Sequence, residues 1–256
     1  MSLITPTPNR PNSQLKPIQR LVEFKGFRRQ SLAQYRENVR QLYDGPAGAV
    51  LALGSMLSLH EPLVGRVLRE RTFDVTRHRR ILDVGSGAGQ ILGHLLKSTR
   101  PDARLFAFDL SQQMLKRARQ RLRTQRPTYI SGDLVRMPFA DDTFDCATCG
   151  WVLEHLPDPR PGLREIGRVL RPGGSALILT TEDTFSGAVV SRTWKCRTYS
   201  RHELESACDD SGLPWKKQFW FTRIHRFFKM GGIMVEATKP DALPVEVESV
   251  SLASGV

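Results

Sequence analysis

The chain is poor in the residues that staple or anchor a protein. Four cysteines stand among 256 residues, at 146, 149, 196 and 208, too few and too scattered for a disulfide scaffold. No apolar run approaches the roughly 18 to 20 residues that span a bilayer. The opening MSLITPTPNRPNSQLKP lacks the apolar centre of a secretory signal. The expected compartment is therefore the cytoplasm, with peripheral membrane contact still open. Zinc or redox chemistry also finds little support. Cys146 and Cys149 form a CxxC, but it lies in FDCATCGW, which reads as a buried strand. Residues three apart on a strand face opposite sides, and no second CxxC completes a structural zinc site. No metal is expected.

Acidic residues are in short supply: 26 against 38 Lys and Arg, a net charge of +12. Such a balance favours contact with nucleic acid, an anionic membrane surface or an acidic ligand. The shortage is local. Lys116, Arg117, Arg119, Arg121, Arg123 and Arg126 run on with no acid among them, and WKKQFWFTRIHRFFK interleaves basic with aromatic residues. That mixture suits phosphate and base stacking or a lipid headgroup layer. A solvated helix face is the plain alternative.

Hydrophobic residues at 40 % and charged residues at 25 % are ordinary globular values. Residues 1–17, rich in Pro, Asn, Ser and Thr, read as a loose tail. Residues 18–78 read as a helical lid or cap. In it Leu21, Phe24, Leu32, Tyr35, Val39 and Leu42 fall at mostly helical spacings, and another helix starts near Pro62. From Arg79 the pattern becomes regular: RRILDVGSG, RLFAFDL, PTYISGD, TFDCATCG and SALILTT as strands, GQILGHLLKS, SQQMLKRARQRLRT and PGLREIGRVL as helices between them. Ser111 is placed to cap the second of these helices, and an RPGG turn follows the third. Alternating strands and helices give an α/β fold with a mostly parallel, doubly wound sheet. SRHELESACDDSG reads as a helix with a Ser200–Glu203 capping box. PWKKQFWFT and GIMVEATK then close the sheet as an antiparallel pair. The domain is expected over 79–240, with 241–256 a frayed tail.

The chemistry concentrates at strand ends. In Leu82-Asp83-Val84-Gly85-Ser86-Gly87-Ala88-Gly89 a strand runs into three alternate glycines, and a helix follows at once. Glycines allow a sharp bend and close approach of a ligand to the backbone, and the helix start offers unpaired N–H groups to an anion. The G-x-G-x-x-G dinucleotide fingerprint is not met, because the third glycine is at 89 and Gln stands at 90. Asp109, twenty residues beyond Gly89 at the tip of the second strand, is placed to accept from ribose hydroxyls. Asp133 at the end of the third strand can accept from an adenine amino group, with Leu134 presenting backbone to the ring.

With these residues in hand, the chain resembles the class I S-adenosylmethionine-dependent methyltransferases. DVGSGAG, FDL, GDLVRMPFADDTFD, WVLEHLPDP and VLRPGG match their successive motifs over about residues 79–182. The likeness is nearest to the small-molecule branch of ubiquinone and menaquinone biosynthesis. The resemblance implies a seven-stranded Rossmann-like sheet with S-adenosyl-L-methionine at the C-terminal strand ends. Asp83, Gly85, Ser86, Gly87 and Gly89 would line its methionine side, Asp109 the ribose, and Asp133 with Leu134 the adenine; Leu110 and Gly150 are further cofactor-binding candidates. Trp151, Glu154 and His155 follow the fourth strand, where the acceptor should react. His155 is the candidate base, having a suitable ordinary pKa; packing into the turn is the alternative. Tyr43 is a candidate to fold over cofactor or acceptor. The expected acceptor is a small or lipid-like molecule. An RNA or protein acceptor is the rival reading, although the N/D-P-P-Y/F amide-methylation motif is missing after strand four, where CGWVLE stands. A cofactor-binding protein without activity is the third. Nothing in the sequence fixes the oligomeric state.

Overall fold

The computed structural model describes residues 60–184, 196–228 and 232–241, together with positions 33, 34, 37, 187 and 191. Helix α1 spans His60–Arg69. Alternation then begins: β1 Arg80–Val84, α2 Gln90–Ser98, β2 Arg104–Asp109, α3 Gln112–Leu122, β3 Pro127–Ser131 and β4 Phe144–Gly150. A 3₁₀ turn at Leu153–His155 leads to α4 Arg160–Val169, β5 Leu170–Thr180, α5 Arg201–Asp209, β6 Trp215–Phe219, α6 Arg223–Phe228 and β7 Ile233–Thr238. Most of the expected lid and both tails lie outside the described residues; within it Ala33, Gln34 and Glu37 are helical and exposed.

Seven strands form one sheet in the order β3-β2-β1-β4-β5-β7-β6. The first five run parallel, and β7 lies antiparallel between β5 and β6. This is the expected doubly wound sheet closed by an antiparallel pair. Strand order reverses between β1 and β4, so a crevice opens beyond their carboxyl ends.

The strand pattern explains why both faces must be covered. In β1, Ile81 and Leu82 point into separate apolar clusters. One contains Val64, Leu68, Leu92, Leu95 and Leu115 from α1, α2 and α3. The other contains Leu163, Ile166, Leu204 and Ala207 from α4 and α5. Each helix presents its apolar residues at helical spacing: Ile91, Leu92 and Leu95 in α2, and Met114, Leu115 and Ala118 in α3. At the start of α3, Ser111 Oγ accepts from Met114 N at 3.1 Å, and at the start of α5, Ser200 Oγ accepts from Glu203 N at 3.1 Å. The Glu203 carboxylate takes a hydrogen bond from Arg197.

Three boundaries differ from the sequence expectation. β3 ends at Ser131, leaving Asp133 two residues beyond it in a tight turn bridged to Arg136. The RPGG segment is an irregularity inside β5: Leu170 pairs with Phe144, after which the register slips to Ser175 opposite Cys146, with Gly173 at φ +72°. The segment after β6 folds into α6, because chain is needed to turn from β6 into the antiparallel β7.

Cys146 and Cys149 divide between the two clusters, on opposite faces of β4. All four thiols are free and buried, and burial pushes each well above its ordinary range. A buried, protonated thiol is a poor nucleophile. Ellman's reagent at pH 8 should therefore label less than one thiol per native chain and all four after denaturation. Rapid labelling of two or more in the native protein would contradict this packing.

Candidate functional site

The glycine turn is held by the strand beside it. Gly85 N and Ser86 N both donate to Phe108 O, at 2.7 and 3.0 Å, and Ser86 Oγ donates to Asp83 O at 2.8 Å. Two glycines are required by geometry. Gly85 sits at φ +67°, and a Cβ there would lie 2.1 Å from Val152 Cγ2. Gly89, at φ +84°, caps α2, where a Cβ would meet Leu122 Cδ1 at 2.9 Å. Left-handed backbone and a packed neighbour together exclude a side chain. The close approach of Gly85 to Val152 also brings the turn against the segment after β4.

Asp109 meets this turn directly. Its Oδ2 accepts from Gly87 N and its Oδ1 from Ser111 N, each at 2.8 Å. A carboxylate offers about four acceptor positions, so two N–H bonds do not exhaust it. Gly132 N donates to Asp109 O at 3.0 Å, which ties the tip of β3 to the tip of β2. Asp133 follows, its Oδ1 accepting from Val135 N at 3.1 Å. Leu134 sends its side chain into the core beside Gly162, and Leu110 is half-buried.

Asp83 is 1 % exposed. Thr148, its register partner on β4, donates to Oδ1 at 2.6 Å. Oδ2 is buried without a hydrogen-bond partner among the described residues. Burial raises its pKa to about 6 against the pull of these bonds. A buried acceptor in that condition suits a cationic or N–H donor from a ligand.

Beyond β4, Gly150 pairs with Leu179 and packs on Ile91, where a Cβ would fall at 2.5 Å. Trp151 adopts φ +56°; its N donates to Leu179 O at 2.8 Å, and its ring packs against the α1–α2 cluster. His155 is half-buried in the 3₁₀ turn, and desolvation lowers its pKa to about 4, which keeps the imidazole neutral. Tyr43 lies outside the described residues. The turn, Asp83, Asp109 and Asp133 thus gather at one end of the sheet, with Gly150 to His155 alongside.

Glu154 stands out here in a way its sequence context did not specify. It is buried; Thr181 Oγ1 donates to Oε1 at 2.6 Å, and Thr181 N donates to Oε2 at 3.4 Å. Its backbone oxygen accepts from Arg197 N at 2.9 Å, and Tyr199 OH donates to Leu153 O at 2.7 Å. Glu154 therefore joins the loop after β4 to the end of β5 and to residues 197–199. Thr148 and Thr181 escaped the sequence reading because each matters only through its cross-strand neighbour. The signal available was their position in strands converging on one sheet end.

The strand order and the gathering of acids around a glycine turn define a Rossmann-like architecture with a candidate site at the carboxyl ends of its strands. Residues 82–178 match the family model described as a methyltransferase domain. The chain is similar to the demethylmenaquinone methyltransferase of Clavibacter sepedonicus, at 32 % identity over 59 % of this chain and 60 % of that one. It is also similar to the ubiquinone/menaquinone biosynthesis C-methyltransferase of Klebsiella pneumoniae, at 28 % over 60 % and 63 %. The chain thus spans less than two thirds of these relatives. Among solved structures, geranyl diphosphate C-methyltransferase from Streptomyces coelicolor shares the fold, with a TM-score of 0.63 and 14 % identity over 82 % of this chain and 100 % of that one.

Burial raises the Glu154 pKa to about 8, so the folded state favours the neutral acid. The sign follows: stability falls as pH rises from the ordinary carboxyl value through about 8, because the native state resists losing that proton. Glu154→Gln is the isosteric neutral group. The difference in Tm between this variant and the parent should shift steadily in the variant's favour from pH 5 to pH 8.5. A difference that stays constant with pH would mean that Glu154 is ionised throughout.

Proposed function

We propose that this chain is an S-adenosylmethionine-dependent methyltransferase acting on a small or lipid-like acceptor. The observation that carries the reading is the direct bond between the glycine turn and the β2 carboxylate, with a buried Asp83 oxygen beside them that has no partner among the described residues. The residues fit the cofactor: Asp83 and the turn from Gly85 to Gly89 would hold the amino-acid end, Asp109 with Leu110 the ribose, and Asp133 with Leu134 the adenine, with Gly150 closing the pocket. When bound, the cofactor supplies a sulfonium methyl group, the electrophile of the reaction.

The chain's own part is positioning and exclusion of water. An acceptor must lie in line at about 3 to 3.5 Å from the methyl carbon, beyond β4, where Trp151 and His155 stand. His155 is neutral and so able to accept a proton, but a conjugate acid near pKa 4 makes it a weak base. That favours an acceptor that is already nucleophilic, or that loses its proton late. Glu154 keeps the loop carrying these residues in register with β5.

A lipid-like acceptor gains support from α6. It connects the end of β6 to Ile233, which pairs with Thr180 at the end of β5, and so sits at the same sheet end as the turn. Ile224 and Phe227 are 66 % and 80 % exposed on it, next to Arg223. Apolar residues beside a cation suit the headgroup boundary of an anionic bilayer. The domain core of 79–240 would then be completed by the 18–78 lid, both bordering the acceptor. Cytoplasmic placement with peripheral membrane contact agrees with this reading; no helix among the described residues is long and apolar enough to cross a membrane.

Three measurements test the proposal. Asp109→Ala should weaken S-adenosylmethionine binding by about 1.5 to 3 kcal/mol, the scale of lost charge-assisted hydrogen bonds; unchanged affinity by calorimetry would remove the ribose role. Incubation with methyl-labelled cofactor and a fractionated bacterial extract should place label in the lipid or small-molecule fraction. Ile224→Ser/Phe227→Ser should lower lipid labelling on anionic vesicles severalfold while leaving cofactor affinity intact. Label confined to RNA or protein would overturn the acceptor class, and cofactor binding without product in any fraction would overturn catalysis.

A further inference from the structure

A second concave site lies at the opposite end of the sheet from the glycine turn. Arg77 and His78 precede β1, Arg171 and Ser175 come from the beginning of β5, Lys216 from the beginning of β6, and Thr238 to Asp241 from the end of β7. Together they line a solvent-open cavity of about 440 Å³, within the range of small-ligand sites. β1 is five residues long, so the two sites stand about 16 Å or more apart at roughly 3.3 Å per residue.

Cations outnumber acids in the lining, and Asp74 acts on Arg77 from just outside it. Arg77, Arg171 and Lys216 are exposed, and none forms an ion pair among the described residues. Lys239 is already engaged, its Nζ donating to Asp142 Oδ1 at 2.6 Å and Leu170 O at 2.7 Å. Asp241 is the one carboxylate in the lining. Asp145, close to His78, is taken up by Arg79 N at 2.6 Å and Arg80 N at 3.3 Å. Like charges converging on one cavity repel unless an anion stands between them.

His78 adds a directional donor. It is 4 % exposed, and Arg77 Nε donates to its Nε2 at 3.4 Å. Desolvation, reinforced by the charges of Arg77 and Arg171, lowers its pKa and keeps the ring neutral. With Nε2 accepting, the ring proton resides on Nδ1, and this nitrogen is buried without a partner among the described residues. The Thr238 hydroxyl in the same lining is likewise buried and unpartnered. Buried donors without an acceptor are unfavourable, and an oxygen-rich anion would satisfy them.

We propose that this cavity is an anion-binding site, separate from the methyl-transfer site, that receives the phosphoryl group of a small ligand. Arginine forks match the oxygens of a phosphoryl group two at a time, Lys216 supplies a further charge, and His78 Nδ1 and Thr238 Oγ1 supply neutral donors. The phosphoryl group belongs either to a free phosphate ester or to a lipid headgroup, and the binding chemistry is the same for both.

Calorimetric titration of the full chain with inorganic pyrophosphate at low salt tests the site. Saturable one-to-one binding is expected with Kd below about 1 mM, weakening at least tenfold in Arg171→Gln/Lys216→Gln. Both positions are exposed, so that variant should fold, and its S-adenosylmethionine affinity should equal the parent's. Asp109→Ala should retain pyrophosphate binding, which separates this site from the cofactor site. Sedimentation with phosphatidic acid vesicles, run on an Ile224→Ser/Phe227→Ser background so that α6 contributes no vesicle binding, forms the second arm. Vesicle binding lost in the Arg171→Gln/Lys216→Gln variant, with free pyrophosphate bound weakly, assigns the phosphoryl group to a headgroup and supports the site. Binding of neither probe, or equal binding by parent and that variant, would overturn it.

Discussion

The single contact on which the functional end depends is the one between the glycine turn and the tip of β2. Phe108 O receives two N–H groups from the turn, and Asp109 receives a third from Gly87. The chain leaves β1 by a bend that only left-handed backbone permits, and the neighbouring strand accepts the N–H groups that the bend would otherwise orphan. The same residues then determine what can approach. Gly85 leaves no room for a side chain because Val152 packs there, so the loop after β4 is held against the turn, and Gly132 brings β3 to Asp109. Three strand ends are locked to one another through backbone bonds, and the acidic groups ride on that frame.

How much of this could be read from the sequence depended on whether a feature is local. The helices of the core were legible because their apolar residues repeat near 3.6, and the strands because they are short, nearly continuous apolar runs between turn signals. The Ser111 and Ser200 caps were legible because a cap acts within three residues. Asp109 was recognisable by its distance from the turn. What escaped depends on pairing across the sheet. Thr148 is an unremarkable strand residue until it lies opposite Asp83, and Thr181 means little until Glu154 folds onto it. Asp133 was placed on a strand that stops two residues earlier, since a turn side chain that bonds its own backbone competes with the ladder. α6 was missed because six residues that mix Ile224 with basic and aromatic side chains carry no clear period.

The excess of basic residues resolves into separate uses. On α3 and just beyond it, Arg121 pairs with Glu61 at 2.6 Å, joining α3 to α1. Arg126 donates to Leu96 O and Ala103 O, so it closes the end of α2 against the start of β2. Arg119 lies over the Tyr129 ring at 5.7 Å. Much of that run is framework, and it says little about partners. Around His78, at the sheet end away from the glycine turn, Arg77, Arg171 and Lys216 have no ion-pair partner among the described residues.

The two ends of the sheet therefore carry opposite electrostatic problems. At the carboxyl ends, Asp83 and Glu154 are acids buried among strand tips, and desolvation favours their neutral forms. At the amino ends, guanidinium and ammonium groups crowd a cavity whose neutral donors lack acceptors. Sheet polarity accounts for part of this. In parallel strands the carboxyl ends leave loops free to gather ligand-binding side chains, whereas the other end is closed by short connections and by the reversed β7. Only the antiparallel return of β7 brings Thr238 to Asp241 beside the start of β5, so the strand that completes the fold also creates the second cavity.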